Sequence, residues 1–208
     1  MFKKLLLFSF TGLCYCSLQS CRTNALSPRE YIGYVTDSSN GLKRTLQHDR
    51  LYFSAQYQPI DYVCLLETSG HVETDEFHEL QSKFEGLTHF SFSIGSNDHE
   101  TDPLKLMMNG MNYEDAIVYF AFEVKNDFFI VSAGDTLPCV IHHFERSYGL
   151  HPSIDLVLGF RQQSTMNLKE DAPLTLYFND RLYGSGYNSF VFHKKDLVNL
   201  PELKKVSL

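Results

Sequence analysis

Apolar residues recur every second position along much of this chain and at helical spacing in a few short stretches. Thr88-His89-Phe90-Ser91-Phe92-Ser93-Ile94 alternates cleanly, which predicts a strand burying Phe90, Phe92 and Ile94. The same period runs through Ile154, Leu156, Leu158 and Phe160, and again through Leu174, Leu176 and Phe178. Leu51 to Tyr57, Phe128 to Val131, Cys139 to Glu145 and Ser189 to His193 read as further strands. Helical spacing is confined to shorter segments. Ser27-Pro28-Arg29-Glu30 is a helix start, with Ser27 as cap, Pro28 at the first helical position and Glu30 placed to bond back to the cap. Pro59 to Glu67 fits a second helix, and Thr74 or Asp75 caps a third that carries Phe77, Leu80 and Phe84. Asn112, followed by Glu114 and Asp115, marks another helix start, while Ala116 to Val124 suits helix or strand equally. Helices early and strands late predict an α+β fold. Short N-terminal helices would pack on a mostly antiparallel sheet with its strands concentrated in the C-terminal half, unlike the βαβ alternation of a nucleotide-binding fold.

The chain opens differently. Lys3 and Lys4 precede an apolar run from Leu5 to about Tyr15, too short to cross ~30 Å of hydrocarbon and built like a secretory signal. Leu18-Gln19-Ser20-Cys21 then resembles the lipobox of bacterial lipoproteins; the other reading is an ordinary cleaved signal with a cysteine nearby by chance. The resemblance implies that Cys21 becomes the first mature residue and carries diacylglycerol and an N-acyl chain, anchoring the protein to a membrane. Leu26-Ser27-Pro28-Arg29-Glu30-Tyr31 and Asn40-Gly41-Leu42 resemble segments of uncharacterised lipoproteins from Bacteroidota. No acidic run follows Cys21, which by the same resemblance favours the periplasmic face of the outer membrane over the cell surface. The expected organisation is a removed signal over residues 1–20, a lipidated tether over 21–26 and a single globular domain over 27–208.

Composition narrows the function. Hydrophobic residues make up 43% of the 208, with 17 Phe and 12 Tyr, ample to bury a core and incompatible with a disordered chain. The net charge is −7, and it becomes −9 once residues 1–20, with their two lysines and no acids, are removed. An acidic chain lacks the basic face that displaces counterions from nucleic acid, so no nucleic-acid partner is expected. Of five cysteines, only Cys64 and Cys139 lie beyond the signal and its anchor. An oxidising compartment permits them either one disulfide or two separate buried thiols.

Candidate chemistry is sparse. His78-Glu79 begins like a zinc-protease helix, but Ser82 stands where the second imidazole belongs. Asp98, Glu100 and Asp102 alternate as in a calcium loop, yet Pro103 replaces the needed glycine. Gly184-Ser185-Gly186 lacks the spacing of a nucleophile elbow, and the chain holds no GxGxxG, Walker loop or CxxC pair. The segment Cys139 to Arg146 is the richest: a regular strand would send Cys139, Ile141, His143 and Glu145 one way and Val140, His142 and Phe144 the other. His142, His143 and Glu145 are therefore weak metal candidates, needing a bulge or a distant ligand such as Asp135 or His193 to converge.

With no complete catalytic constellation and no cofactor implied, the reading favoured is non-enzymatic: a membrane-anchored accessory or assembly factor that binds another envelope protein. The alternative is a metal-binding protein or metal-dependent hydrolase using His142, His143 and Glu145. A third is a carrier with an apolar pocket inside the sheet among Phe90, Phe92, Phe160, Phe178, Phe190 and Phe192.

Overall fold

A computed structural model describes residues 25–72, 74–107, 110–145, 152–162 and 172–204. Eight antiparallel strands form a single sheet: β1 (Lys43–His48), β2 (Leu51–Gln58), β3 (Leu87–Ser96), β4 (Phe128–Ser132), β5 (Asp135–Glu145), β6 (Ser153–Arg161), β7 (Leu174–Asp180) and β8 (Gly186–Phe192). Their spatial order is β1-β2-β3-β6-β5-β4-β7-β8.

The interior residues show how this sheet is shaped. Phe92 on β3 meets Phe128 of β4, Phe178 of β7 and Phe190 of β8 at ring-centroid distances of 4.8, 5.0 and 5.6 Å, although none of those strands adjoins β3. Phe53 on β2 meets Phe178 edge-on at 5.6 Å, and Phe90 meets Phe192 at 5.2 Å. Only a sheet rolled on itself brings these rings together, so the eight strands curl into a barrel-like wall around an aromatic core. At this strand number an interior is just wide enough for side chains to fill. The six phenylalanines suggested as the lining of an apolar pocket are that filling.

Among the described residues five α-helices accompany the sheet: α1 (Pro28–Thr36), α2 (Ile60–Glu67), α3 (Asp75–Phe84), α4 (Tyr113–Val118) and α5 (Lys194–Val198). α1 starts as expected, with the Glu30 carboxylate accepting from the Ser27 backbone N–H at 2.9 Å and from its hydroxyl at 2.7 Å. Those bonds hold the Glu30 carboxyl below the usual range. Thr74 caps α3 through the Phe77 N–H, and Asn112 caps α4 through the Asp115 N–H. The ambiguous stretch from Ala116 to Val124 is helical, running from α4 into a π-turn at Tyr119–Glu123 and a 3₁₀ turn at Val124–Asp127.

Two expectations are corrected. Helices are not confined to the N-terminal part, since α4 and α5 lie in the middle and at the end. Strands are spread along the chain, with β1, β2 and β3 in its first half. β1 was hidden because Lys-Arg-Thr-Leu-Gln-His has one apolar residue, as suits an edge strand that keeps one side in water.

Antiparallel alternation puts the β1–β2 turn, the end of β3, the start of β4 and the end of β7 at one mouth of the barrel. α4 and its following turns close that mouth. There Asp127, buried, accepts from the Tyr119 hydroxyl at 2.9 Å and pairs with Arg181 Nε at 2.7 Å. Burial and the nearby Asp127 charge push the Tyr119 phenol up. Asp180 is also buried, its carboxylate accepting from the N–H groups of Leu182, Tyr183 and Ser185 and from the Ser185 hydroxyl. The other helices gather towards the second mouth and over the β2–β3 wall. On that wall, outward-facing Gln56 donates to the Val35 carbonyl of α1 at 3.3 Å, and outward-facing His89 lies under Phe84 of α3 at 5.1 Å between ring centroids.

Candidate functional site

The segment expected to hold the richest chemistry contains a β-bulge that sequence alternation could not reveal. Cys139 opposes Phe160 and Ile141 opposes Gly159, so Val140 is the extra residue. The bulge reverses the facing of every residue from Ile141 to Glu145. Cys139, His142 and Phe144 turn towards the barrel interior, while Ile141, His143 and Glu145 turn to solvent. This corrects the regular-strand expectation that Cys139 shares a face with His143 and Glu145.

His142 Nε2 lies 2.9 Å from the Ala121 carbonyl oxygen, which it meets as a donor tautomer, and Phe144 packs on Phe120 at 5.6 Å. Asp135 is at the opposite end of β5, roughly 33 Å from Glu145 along an extended strand. His193 precedes α5 at the second mouth. Among the described residues no group of three or more His, Cys, Asp or Glu is placed to hold a metal ion, so His142, His143 and Glu145 are not brought together.

Cys64 and Cys139 are separate free thiols, on α2 and β5 respectively, and form no disulfide. Burial pushes each thiol up to about 11, away from the thiolate that nucleophilic chemistry needs. The Cys139 thiol donates to the Ile141 carbonyl at 3.0 Å across the bulge. Cys21 and the lipobox-like residues lie outside the described residues.

The remaining motifs resolve into local structure. Asp98 accepts from the Ser96 and Thr101 hydroxyls and from the Glu100 and Thr101 N–H groups, which hold its carboxyl far below the usual range and occupy the oxygens a calcium ion would need. His78 meets Gln81 on the exposed side of α3. Ser185 donates to Asp180 and accepts from Asn188 Nδ2 at 2.8 Å, a turn between β7 and β8.

The bulge also creates a surface. Val140, Ile141 and Val157 are 41, 49 and 40% exposed, and they lie on neighbouring strands of one outer wall. Ile141 lies across Gly159, where an added Cβ would come within 3.1 Å of the Ile141 Cβ. On the adjoining strands Phe129 and Tyr177 stack face to face on the same outer side, 4.8 Å apart with 9° between planes. Apolar side chains thus recur on the outer side of β6, β5, β4 and β7, on the wall away from the helices that cover β2 and β3.

No family model matches the chain, and no curated protein matches it. Among solved structures it is similar to a novel protein of unknown function from Burkholderia pseudomallei K96243, with 13% identity over 86% of this chain and 96% of that one, at a TM-score of 0.43.

Proposed function

We propose that this chain is a non-enzymatic, lipid-anchored protein of the bacterial cell envelope that binds another envelope protein through the outer wall of β6, β5, β4 and β7. The observation that carries the reading is the apolar set Val140, Ile141 and Val157 on the same wall as the Phe129–Tyr177 stack. Apolar side chains grouped on a rigid sheet wall mark interaction surfaces in soluble domains, whereas isolated ones do not. The acidic character of the chain suits a partner with a matching apolar patch inside a basic rim.

The anchor belongs to the same reading. Two or three acyl chains on Cys21 hold a protein durably, since each buried methylene contributes ~0.8 kcal/mol. No helix among the described residues is long and apolar enough to cross a membrane. Leu26, the last residue of the expected tether, is held to the folded domain: its N–H donates to the Glu202 carbonyl at 2.8 Å, and its own carbonyl accepts from Lys204 at 2.7 Å. Five residues of chain from Cys21 to that staple reach at most about 18 Å, so the domain stays close to the bilayer. The periplasmic face of the outer membrane is the location proposed.

Capture of the lipidated full chain from solubilised membranes, beside Ile141→Asp and Val157→Asp variants, tests this. A stoichiometric envelope partner retained by the parent and by Phe122→Ser, but lost from both wall variants, is the expected result. Equal recovery of that partner by the wall variants would remove the reading.

A further inference from the structure

We infer that the barrel mouth at the β1–β2 turn carries a binding site for a small organic monocarboxylate with an apolar body and an uncharged polar group at its inner end. The site is a cavity of about 280 Å³ between the β1–β2 turn and residues 105–107, just below the usual size range of ligand pockets and so suited to a small molecule. Leu51, Leu106 and Met107 give it apolar walls.

Its wall includes Tyr183, which is 2% exposed and whose hydroxyl has no hydrogen-bond partner among the described residues. Buried hydroxyls are ordinarily satisfied, because an orphaned one loses its water without replacement. Tyr183 therefore brings an unpartnered donor and acceptor to the wall of the cavity. Burial, together with the nearby carboxylates of Asp180 and Asp102, pushes the Tyr183 phenol up and disfavours its ionisation. Their negative field keeps an anionic group away from the hydroxyl and favours an uncharged polar group there.

The lining has the opposite charge nearer solvent. Arg50 and Lys105 are exposed, and neither has an ion pair among the described residues. Asp49 is the one carboxylate among the described lining residues, so the positive charge is confined to the outer rim while Asp180 and Asp102 lie towards Tyr183. A guanidinium receives a carboxylate through two parallel N–H groups, and the carboxylates close by disfavour a more highly charged anion such as a phosphate dianion.

The site is also preformed. Asp49 adopts a left-handed φ of 50°, and Asn97 at the end of β3 clamps the turn: its side-chain amide donates to the Asp49 carbonyl at 2.7 Å and its backbone N–H to the Arg50 carbonyl at 2.9 Å. His48 packs on Phe53 of the core at 6.1 Å. The turn carrying Arg50 is thus held before any ligand arrives, which lowers the ordering cost of binding. This site is independent of the outer-wall surface.

Calorimetric titration of the full chain in detergent, against a blank of the same detergent, tests the inference with phenylpropionate, para-hydroxyphenylpropionate and uncharged phenylpropionamide. The expected result is saturable binding of both acids, at least about tenfold weaker binding of the amide, and a similar loss in Arg50→Gln and Lys105→Gln, whose exposed side chains leave the melting temperature unchanged. The hydroxylated acid is expected to bind more tightly than its parent, with Tyr183→Phe erasing that difference while retaining phenylpropionate binding. Absence of saturable binding by either acid at millimolar concentration overturns the inference, as does binding that Arg50→Gln and Lys105→Gln leave intact.

Discussion

Arg44 of β1 donates its Nε–H to the carbonyl oxygen of Val191 on β8 at 2.8 Å, joining the two end strands of the sheet. The same guanidinium sits 5.7 Å from the centroid of the Phe192 ring and 3.6 Å from the Asp196 carboxylate at the start of α5. One side chain thus bridges the seam of the barrel and covers edges that would otherwise offer unpaired backbone groups to another strand. Arg44→Ala is expected to cost about 1–2 kcal/mol, with Arg44→Lys intermediate because it keeps the charge and loses the fork. Denaturant melts measure the cost, and faster hydrogen exchange in β1 and β8 than in β3 locates it.

Gly41 sits at φ 76°, and a Cβ added there would run into the Asp196 carboxylate that faces Arg44. Gly41→Ala therefore combines a left-handed backbone with displacement of a seam residue. A loss of more than about 1 kcal/mol is expected. A melting temperature equal to that of the parent would show that neither constraint operates.

Phe92 is fully buried at the centre of the core. Phe92→Ala is expected to cost about 3–5 kcal/mol, whereas Phe122→Ala, on a residue 70% exposed, leaves stability within about 0.5 kcal/mol. Paired urea titrations check both.

His89 is 5% exposed, its Nε2 has no partner among the described residues, and burial lowers its pKa from 6.5. The fold holds the neutral ring, so the unfolded chain takes up the proton first as pH falls. The stability that His89 contributes is present above 6.5 and is lost as pH falls from there through the lower folded pKa. His89→Phe keeps a ring against Phe84 and does not titrate. The stability difference between the two proteins is expected to change between about pH 7.5 and about pH 5, and a constant difference would refute the assignment.

The two thiols act at the alkaline end. Each rises from 9.0 to about 11 in the fold, so the folded state favours the protonated form. Their contribution is present below 9.0 and fades as pH climbs through about 11. Near pH 8, Cys64 and Cys139 should resist thiol reagents in the native protein and react promptly in denaturant; rapid native labelling of either would contradict its burial.

Much of this architecture is written locally. The alternation in β3, β6 and β7, the caps at Glu30, Thr74 and Asn112, and the burial of Phe90, Phe92 and Ile94 depend on neighbouring residues and on the periods of strand and helix. A different set of features depends on contacts made across space. Edge strand β1 has a polar sequence because closure, not burial of both its faces, holds it in place. The bulge at Val140 adds one residue and reverses the facing of His142 and His143, which no periodicity announces. Asp127 and Arg181, Arg44 and Val191, and the lining around Tyr183 join segments far apart in the chain. Alternation determines which face of a strand turns inward; rolling the sheet decides which distant residues that face meets, and both the outer wall and the cavity at the mouth arise from that second step.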